Sequence, residues 1–183
     1  YRNGTGKFQD EYFDTLPALR HLRRGSPVGV EVYQSYAYPS TFFDNLFEAD
    51  WSRGRLLYTS LTQAGGTFRA REDLAEFVHG EPMPITALEV GPDGMLYGPL
   101  WFKNAIVRID PKDGKDTVIA AGFQIPAAAN FGPDGNIYVS SNLTGHVLKY
   151  DRTTGAPLGI AADLGSSAAP SGLAFDSSGR LFV

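Results

Sequence analysis

The chain is predicted to be all-β: a β-propeller segment of four-stranded antiparallel blades, three full blades plus a half blade. Two observations carry this. The first is a repeat around the turns: Asn45-Leu46-Phe47, Gly91-Pro92-Asp93-Gly94-Met95-Leu96-Tyr97, Gly132-Pro133-Asp134-Gly135-Asn136-Ile137-Tyr138 and Asp176-Ser177-Ser178-Gly179-Arg180-Leu181-Phe182. From Leu46 to Leu96, Ile137 and Leu181 the steps are 50, 41 and 44 residues, the period of a propeller blade. The second is composition. With 13 % aromatic residues, 21 Gly and 12 Pro, the chain suits many short strands joined by tight turns.

The third repeat shows the plan of one blade. Pro126 to Phe131 is a first strand of small residues that can pack near a crowded axis, and Gly132 to Gly135 is its turn. In that turn Pro presets φ, Asp caps the backbone and Gly takes φ > 0. Asn136 to Ser140 is the second strand, Gly145 to Asp151 alternates as the third, and Pro157 to Ile160 is the fourth after a turn at Thr153 to Gly155. Equivalent first strands fall at Pro27 to Val32, Ile85 to Val90 and Pro170 to Phe175, and equivalent third strands at Gly54 to Ser60 and Asn104 to Asp110. The expected blades are therefore 27–83, 84–125, 126–169 and a partial 170–183. Residues 1–26 are expected to be the end of a preceding blade or a closure segment. Leu46, Leu96, Ile137 and Leu181, with Leu57, Val107 and Leu148, are the expected core. Gly94, Gly135 and Gly179 are expected at positive φ.

A net charge of −4 and the absence of any long Lys/Arg cluster give no footprint for nucleic acid. No segment approaches the roughly 20 apolar residues of a membrane-spanning helix. Without cysteine there is neither a disulfide framework nor a thiolate metal site. Three and a half blades leave apolar end faces bearing Val30, Val32, Leu173 and Phe175. These call for a second copy, or further blades of the same protein, to close a ring.

Specific words then point to families. Residues 1–97, with Tyr1 to Phe8, Asp14 to Pro17, Gly25 to Gly29, Ala49 to Arg55 and Glu89 to Gly94, resemble late blades of bacterial glucose/sorbosone dehydrogenase-like propellers, many of them secreted and fused to haem-binding modules. Residues 96–127, with Leu96 to Lys103 and Val107 to Pro111, resemble gluconolactonase and senescence-marker-protein propellers. Residues 136–183, with Tyr138 to Ser141, Val147 to Asp151, Thr154-Gly155 and Gly172 to Phe175, are similar to NHL-type repeats. The resemblances imply an extracytoplasmic bacterial protein that handles a small sugar or polyol. The leading expectation is a relative of sugar-oxidising quinoproteins with an incomplete catalytic apparatus, and the cofactor it implies is pyrroloquinoline quinone or Ca²⁺. A non-catalytic binding or scaffold propeller and a metal-dependent lactonase are the alternatives.

Each implied chemistry names residues. A quinoprotein needs a base for the substrate hydroxyl. Of His21, His79 and His146, the best placed by sequence is His79, in the loop expected to feed the second blade; His146 falls in a third strand. The lactonase resemblance implies hard oxygen ligands just after the Pro that opens a first strand. Those positions are Ala127 and Ser171, which supply neither amide nor carboxylate oxygen. Alignment of first strands gives a separate column of Glu31, Glu89, Asn130 and Ala174. Its first three members are candidates to hold a metal ion or sugar hydroxyls, or else they satisfy backbone groups at the blade ends. Arg53, Arg55 and Arg108 are the candidate counter-charges. Asp110, Asp113 and Asp116 with Gly114 read as a hairpin turn in preference to a calcium loop, since the later bidentate Glu is missing. Asn3 and Asn142 match the glycosylation pattern.

Overall fold

Short alternating segments, each closed by a turn that only a few residue types can make, give this chain antiparallel sheets. The computed structural model describes residue 19 and residues 25–37, 39–71, 75–79 and 84–183. The expected blade end or closure segment at 1–26 lies outside the described residues except for Leu19, Gly25 and Ser26, and so does His21.

The first sheet contains β1 (Pro27–Val32), β2 (Leu46–Asp50) and β3 (Arg55–Thr59). An inserted hairpin of β4 (Leu61–Ala64) and β5 (Thr67–Ala70) precedes its last strand, β6 (Ala75–His79). The strand order is β1-β2-β3-β6. The second sheet runs β7 (Glu89–Val90), β8 (Leu96–Leu100), β9 (Ala105–Ile109), β10 (Asp116–Ala121), with Ile85 bridged to Leu100 ahead of β7. The third runs β11 (Pro126–Phe131), β12 (Ile137–Ser141), β13 (His146–Tyr150), β14 (Pro157–Asp163). A two-stranded pair, β15 (Ala174–Phe175) and β16 (Leu181–Phe182), is the half blade. The β4–β5 hairpin, with Gly65 at φ 66° in its turn, is why the first step of the repeat is longer than the others. The strong Gly65-Gly66 turn marks it in the sequence, yet the repeat count alone does not separate it from the blade.

The turn prediction holds. Gly94, Gly135 and Gly179 have φ of 79°, 76° and 81°. In the first sheet the equivalent position, two residues before Leu46, is Asp44 at φ 57°. Asp tolerates the left-handed region better than most residues with a β-carbon. The equivalent residues entering the third strands, Gly54, Asn104 and Gly145, are also positive, at 56°, 49° and 73°.

Alternation then makes the stack. One cluster joins the first two sheets: Tyr33, Phe47, Ala49 and Leu56 pack with Ile85, Leu88, Leu96, Leu100, Val107 and Ile109. The opposite face of the second sheet offers Tyr97, Ile106, Ala120 and Phe123 to Ala129, Ile137, Val139 and Tyr150 of the third. Each fully buried Leu or Ile there contributes about 1.5–3 kcal/mol. Gly29 lets the first strands approach: a β-carbon on it would lie 3.0 Å from the backbone of Ala87 and Leu88.

Of the expected core residues, Leu46, Leu57, Leu96, Val107 and Ile137 are buried. Leu148 is only partly buried, although it packs against the cluster between the second and third sheets, and Leu181 is partly buried because no described residue covers the half blade. The end faces are partly reassigned. Val30 and Val32 are exposed as expected, but Phe175 packs edge-on against Tyr138 at 4.9 Å, so it faces the third sheet. Phe182 and Val183 are the exposed apolar residues at that end instead.

Candidate functional site

The expected column is realised in the strand register. Glu31 pairs with Phe47, Glu89 with Tyr97, Asn130 with Tyr138 and Ala174 with Phe182. Each column residue is therefore the penultimate residue of an innermost strand, opposite an aromatic residue on the second strand of its own sheet. All four lie at the end of the stack that carries the β7–β8 and β11–β12 turns.

Burial sets the electrostatics of this row. Desolvation raises the Glu31 carboxyl to about 7. The same cause raises Glu89 to about 7, with the charge of Glu31 pushing in the same direction. Neither carboxylate has a hydrogen bond or an ion pair among the described residues. That separates them from the other acids at this end, which hold turns together. Asp93 accepts hydrogen bonds from the Met95 N–H (3.1 Å) and the Tyr97 hydroxyl (2.7 Å). Asp134 accepts from the Asn136 N–H (3.1 Å) and the Tyr138 hydroxyl (3.1 Å), and pairs with Lys149 at 2.6 Å. Asn130 donates its amide to the Leu173 carbonyl at 3.5 Å, and its amide oxygen has no hydrogen bond among the described residues.

The expected counter-charges go elsewhere. Arg55 is buried at the opposite end of β3 and grips Asp50, with Nε and Nη2 at 3.1 and 3.0 Å from Oδ2. It also reaches Glu76 at 3.4 Å. Arg53 is exposed in the 3-10 turn at that same far end. Arg108 lies opposite Tyr97 and influences the Tyr97 hydroxyl. The reason is register: Arg55 pairs with Asp50, three residues from the Phe47 that faces Glu31.

His79 is corrected in the same way. It is not in a loop but is the last residue of β6, at the outer edge of the first sheet and paired with Arg55. Three strand spacings and three residues along the strands separate its backbone from that of Glu31, on the order of 20 Å. Column and histidine do not form one site. His146 is in a third strand as expected, 3.6 Å from Asp163. Asp110 and Asp113 accept hydrogen bonds from the N–H groups of Lys112 and Lys115, which makes the 110–116 segment a hairpin turn.

Beside the column is a cleft of about 460 Å³, lined by Glu31, Gln34, Tyr36, Val90, Pro92 and Phe131 among others. Tyr36 is 89 % exposed and stacks on Phe43 at 4.8 Å. The segment 34–36 is missed by sequence reasoning because it is a loop outside the repeat. Among the described residues no three of His, Cys, Asp or Glu form a metal cluster. The row offers two carboxylates and an amide oxygen. Hard oxygen donors without a cationic partner fit Ca²⁺ or Mg²⁺, with remaining positions open to water or ligand. Ala127 is buried and Ser171 exposed, and neither adds a ligating carboxylate or amide.

Successive four-stranded antiparallel sheets stacked face to face, each starting from an inner strand, decide the architecture. The chain is a β-propeller segment. No family model matches it, and no curated protein does. Solved structures do match. Virginiamycin B lyase from Staphylococcus aureus superposes with a TM-score of 0.60 at 14 % identity, covering 86 % of this chain and 48 % of the lyase. Hydrazine synthase of Kuenenia stuttgartiensis gives 0.60 at 16 % identity, covering 91 % and 44 %. A proposed gluconolactonase gives 0.54 at 18 % identity, covering 75 % and 52 %. The segment thus spans about half the length of the structures it matches. At these identities the likeness is one of fold. Among the described residues no helix is long and apolar enough to cross a membrane.

Proposed function

We propose that the segment contributes Glu31, Glu89 and Asn130 to an axial site that binds a hard divalent cation and hydrolyses a small sugar lactone. The observation that carries this is the pair of desolvated, mutually repelling carboxylates with no counter-charge among the described residues. A cation would relieve that repulsion and restore both to the ionised form. When bound, such an ion polarises a carbonyl oxygen as a Lewis acid. Glu31 and Glu89 would hold it, Asn130 would present its amide oxygen, and the loop at Gln34 to Tyr36 would flank the sugar in the cleft beside Glu31. Likeness to propellers that include a proposed gluconolactonase supports a lactone over a polyol, and so a hydrolase over the quinoprotein expected from sequence. Ligation by only two carboxylates suits the weak extracellular class of calcium sites, with Kd of about 0.1–1 mM. That agrees with the extracytoplasmic setting implied by family resemblance.

A second reading is a non-catalytic sugar-binding propeller, favoured by Ala127 and Ser171 at positions where the lactonase resemblance implies ligands. Calorimetric titration of the protein with Ca²⁺, followed by a panel of aldonolactones assayed with and without chelator, separates them. Calcium binding with chelator-sensitive hydrolysis is expected. Calcium binding without hydrolysis leaves the second reading, and no calcium binding overturns the use of the column as a metal site.

A further inference from the structure

A second cleft, of about 280 Å³, is lined by Pro92, Asp93, Arg108, Arg152 and Thr153. Pro92 lines both clefts. Arg108 comes from β9 of the second sheet and Arg152 from the turn after β13 of the third, so the cleft sits between two blades. Arg108 is half-buried and Arg152 exposed.

The charges around this cleft can be accounted for one by one. Neither guanidinium has a carboxylate within ion-pairing distance among the described residues. Asp93 is occupied by its own turn, through the Met95 N–H and the Tyr97 hydroxyl. Asp151, the neighbour of Arg152, is occupied by the N–H groups of Thr153 and Thr154 and by the Thr154 hydroxyl. Lys149 is committed to Asp134 at 2.6 Å. Arg108 also interacts with the Tyr97 hydroxyl, so the Arg152 fork and the remaining donors of Arg108 are left at one small concavity that Thr153 also lines. Arginine forks match the tetrahedral oxygens of phosphate, to which each can donate two parallel hydrogen bonds.

We propose that Arg108 and Arg152 form a phosphate-binding subsite beside the axial cleft, which takes a phosphate monoester group on the ligand. Asp93 in the lining and Asp151 beside Arg152 weaken the subsite, but both carboxylates already accept hydrogen bonds within their own turns, which leaves the guanidinium donors to the ligand. The subsite stands on the arginines alone and does not depend on the metal-dependent chemistry of the column.

The test uses inorganic phosphate as the probe, titrated into the protein by ³¹P line broadening at low ionic strength, with acetate as the comparison anion. Phosphate should bind, and Arg152→Gln, an exposed position that leaves the fold intact, should weaken it about tenfold. Arg108→Lys, which keeps the charge but not the fork, should weaken it too. Glu31→Gln should leave phosphate binding unchanged while removing calcium binding, so failure of either proposal is visible separately. Phosphate affinity unchanged by Arg152→Gln, or acetate binding as tightly as phosphate, would overturn the assignment.

Discussion

The buried hydroxyl of Tyr33 donates a 2.8 Å hydrogen bond to the carbonyl of Gly94, across the interface between the first two sheets. Tyr33 is fully buried, two residues beyond Glu31, and Gly94 ends the turn that follows Glu89 and Val90. The bond therefore ties together the two loops that hold the acidic pair. Tyr33→Phe keeps the ring, which packs edge-on to Phe42 and Phe47, but leaves the carbonyl without its donor. A loss of about 1–3 kcal/mol is expected in urea unfolding. If calcium binds at the column, its affinity should fall as well.

The turn glycines should not be equivalent. At Gly94 a β-carbon would meet Ala37 Cβ at 2.5 Å and the Tyr33 hydroxyl at 2.9 Å, whereas at Gly135 the nearest atoms are those of Arg152 at 3.9 Å. Both positions have positive φ, so alanine costs about 1–2 kcal/mol at each from backbone strain. Gly94→Ala should lose clearly more than Gly135→Ala in thermal melts. Asp44→Gly, at the equivalent place in the first sheet, should be near neutral, since relief of strain offsets loss of the 3.1 Å hydrogen bond from Gln34. Equal losses at Gly94 and Gly135 would contradict the packing described around Tyr33.

The far end of the first sheet has its own buried ion pair. Arg55 and Asp50 expose only 9 % and 2 % of their side chains, and Asp50 also accepts from the Ser26 N–H at 2.9 Å and the Ser52 hydroxyl at 3.1 Å. Desolvation pushes the Asp50 carboxyl upward, but the Ser26, Arg55 and Ser52 hydrogen bonds outweigh it and hold it below the usual range. Asp50→Ala leaves the buried guanidinium only its longer 3.4 Å contact with Glu76 and should cost about 3 kcal/mol, the lower end of what breaking a buried pair costs. Because this pair is at the opposite end from Glu31, ligand binding at the column by the surviving folded protein should be unaffected, which titration of the variant checks.

These contrasts show what the sequence makes legible and what it hides. Strand β1 and strand β11 begin and end where the repeat predicts, because Pro opens both and the Gly132 to Gly135 turn closes β11. The Glu31, Glu89 and Asn130 row is legible for the same reason: a fixed offset from a repeated turn becomes a fixed place in the register. Arg55 is misread as a counter-charge to the column and His79 as a loop residue because charge and residue type say nothing about where in the strand register a residue falls. Pairing with Asp50 and with β6 decides that, and both follow from three-dimensional register. The Arg108–Arg152 cleft is invisible in sequence, as its two arms come from different blades and from non-equivalent positions in the repeat.

The acidic pair predicts an unusual pH response. Desolvation raises both Glu31 and Glu89 from 4.5 to about 7 in the folded protein. The unfolded chain therefore ionises first, and between pH about 4.5 and about 7 the native state binds more protons than the unfolded state. Stability from these two groups is greatest below pH about 4.5, declines as pH rises through about 7 and is flat above it. Partial exposure of both side chains tempers the size of the effect but not its sign. Glu31→Gln or Glu89→Gln should flatten the decline and raise the melting temperature at pH 8. Calcium should oppose the decline in the wild-type protein by stabilising the ionised pair, and should do less in either glutamine variant. Urea unfolding from pH 4.5 to 8.5, with and without calcium, reads all of this. Stability that rises with pH across this interval in the calcium-free wild type, with no difference in the variants, would show that the two carboxylates are not desolvated together.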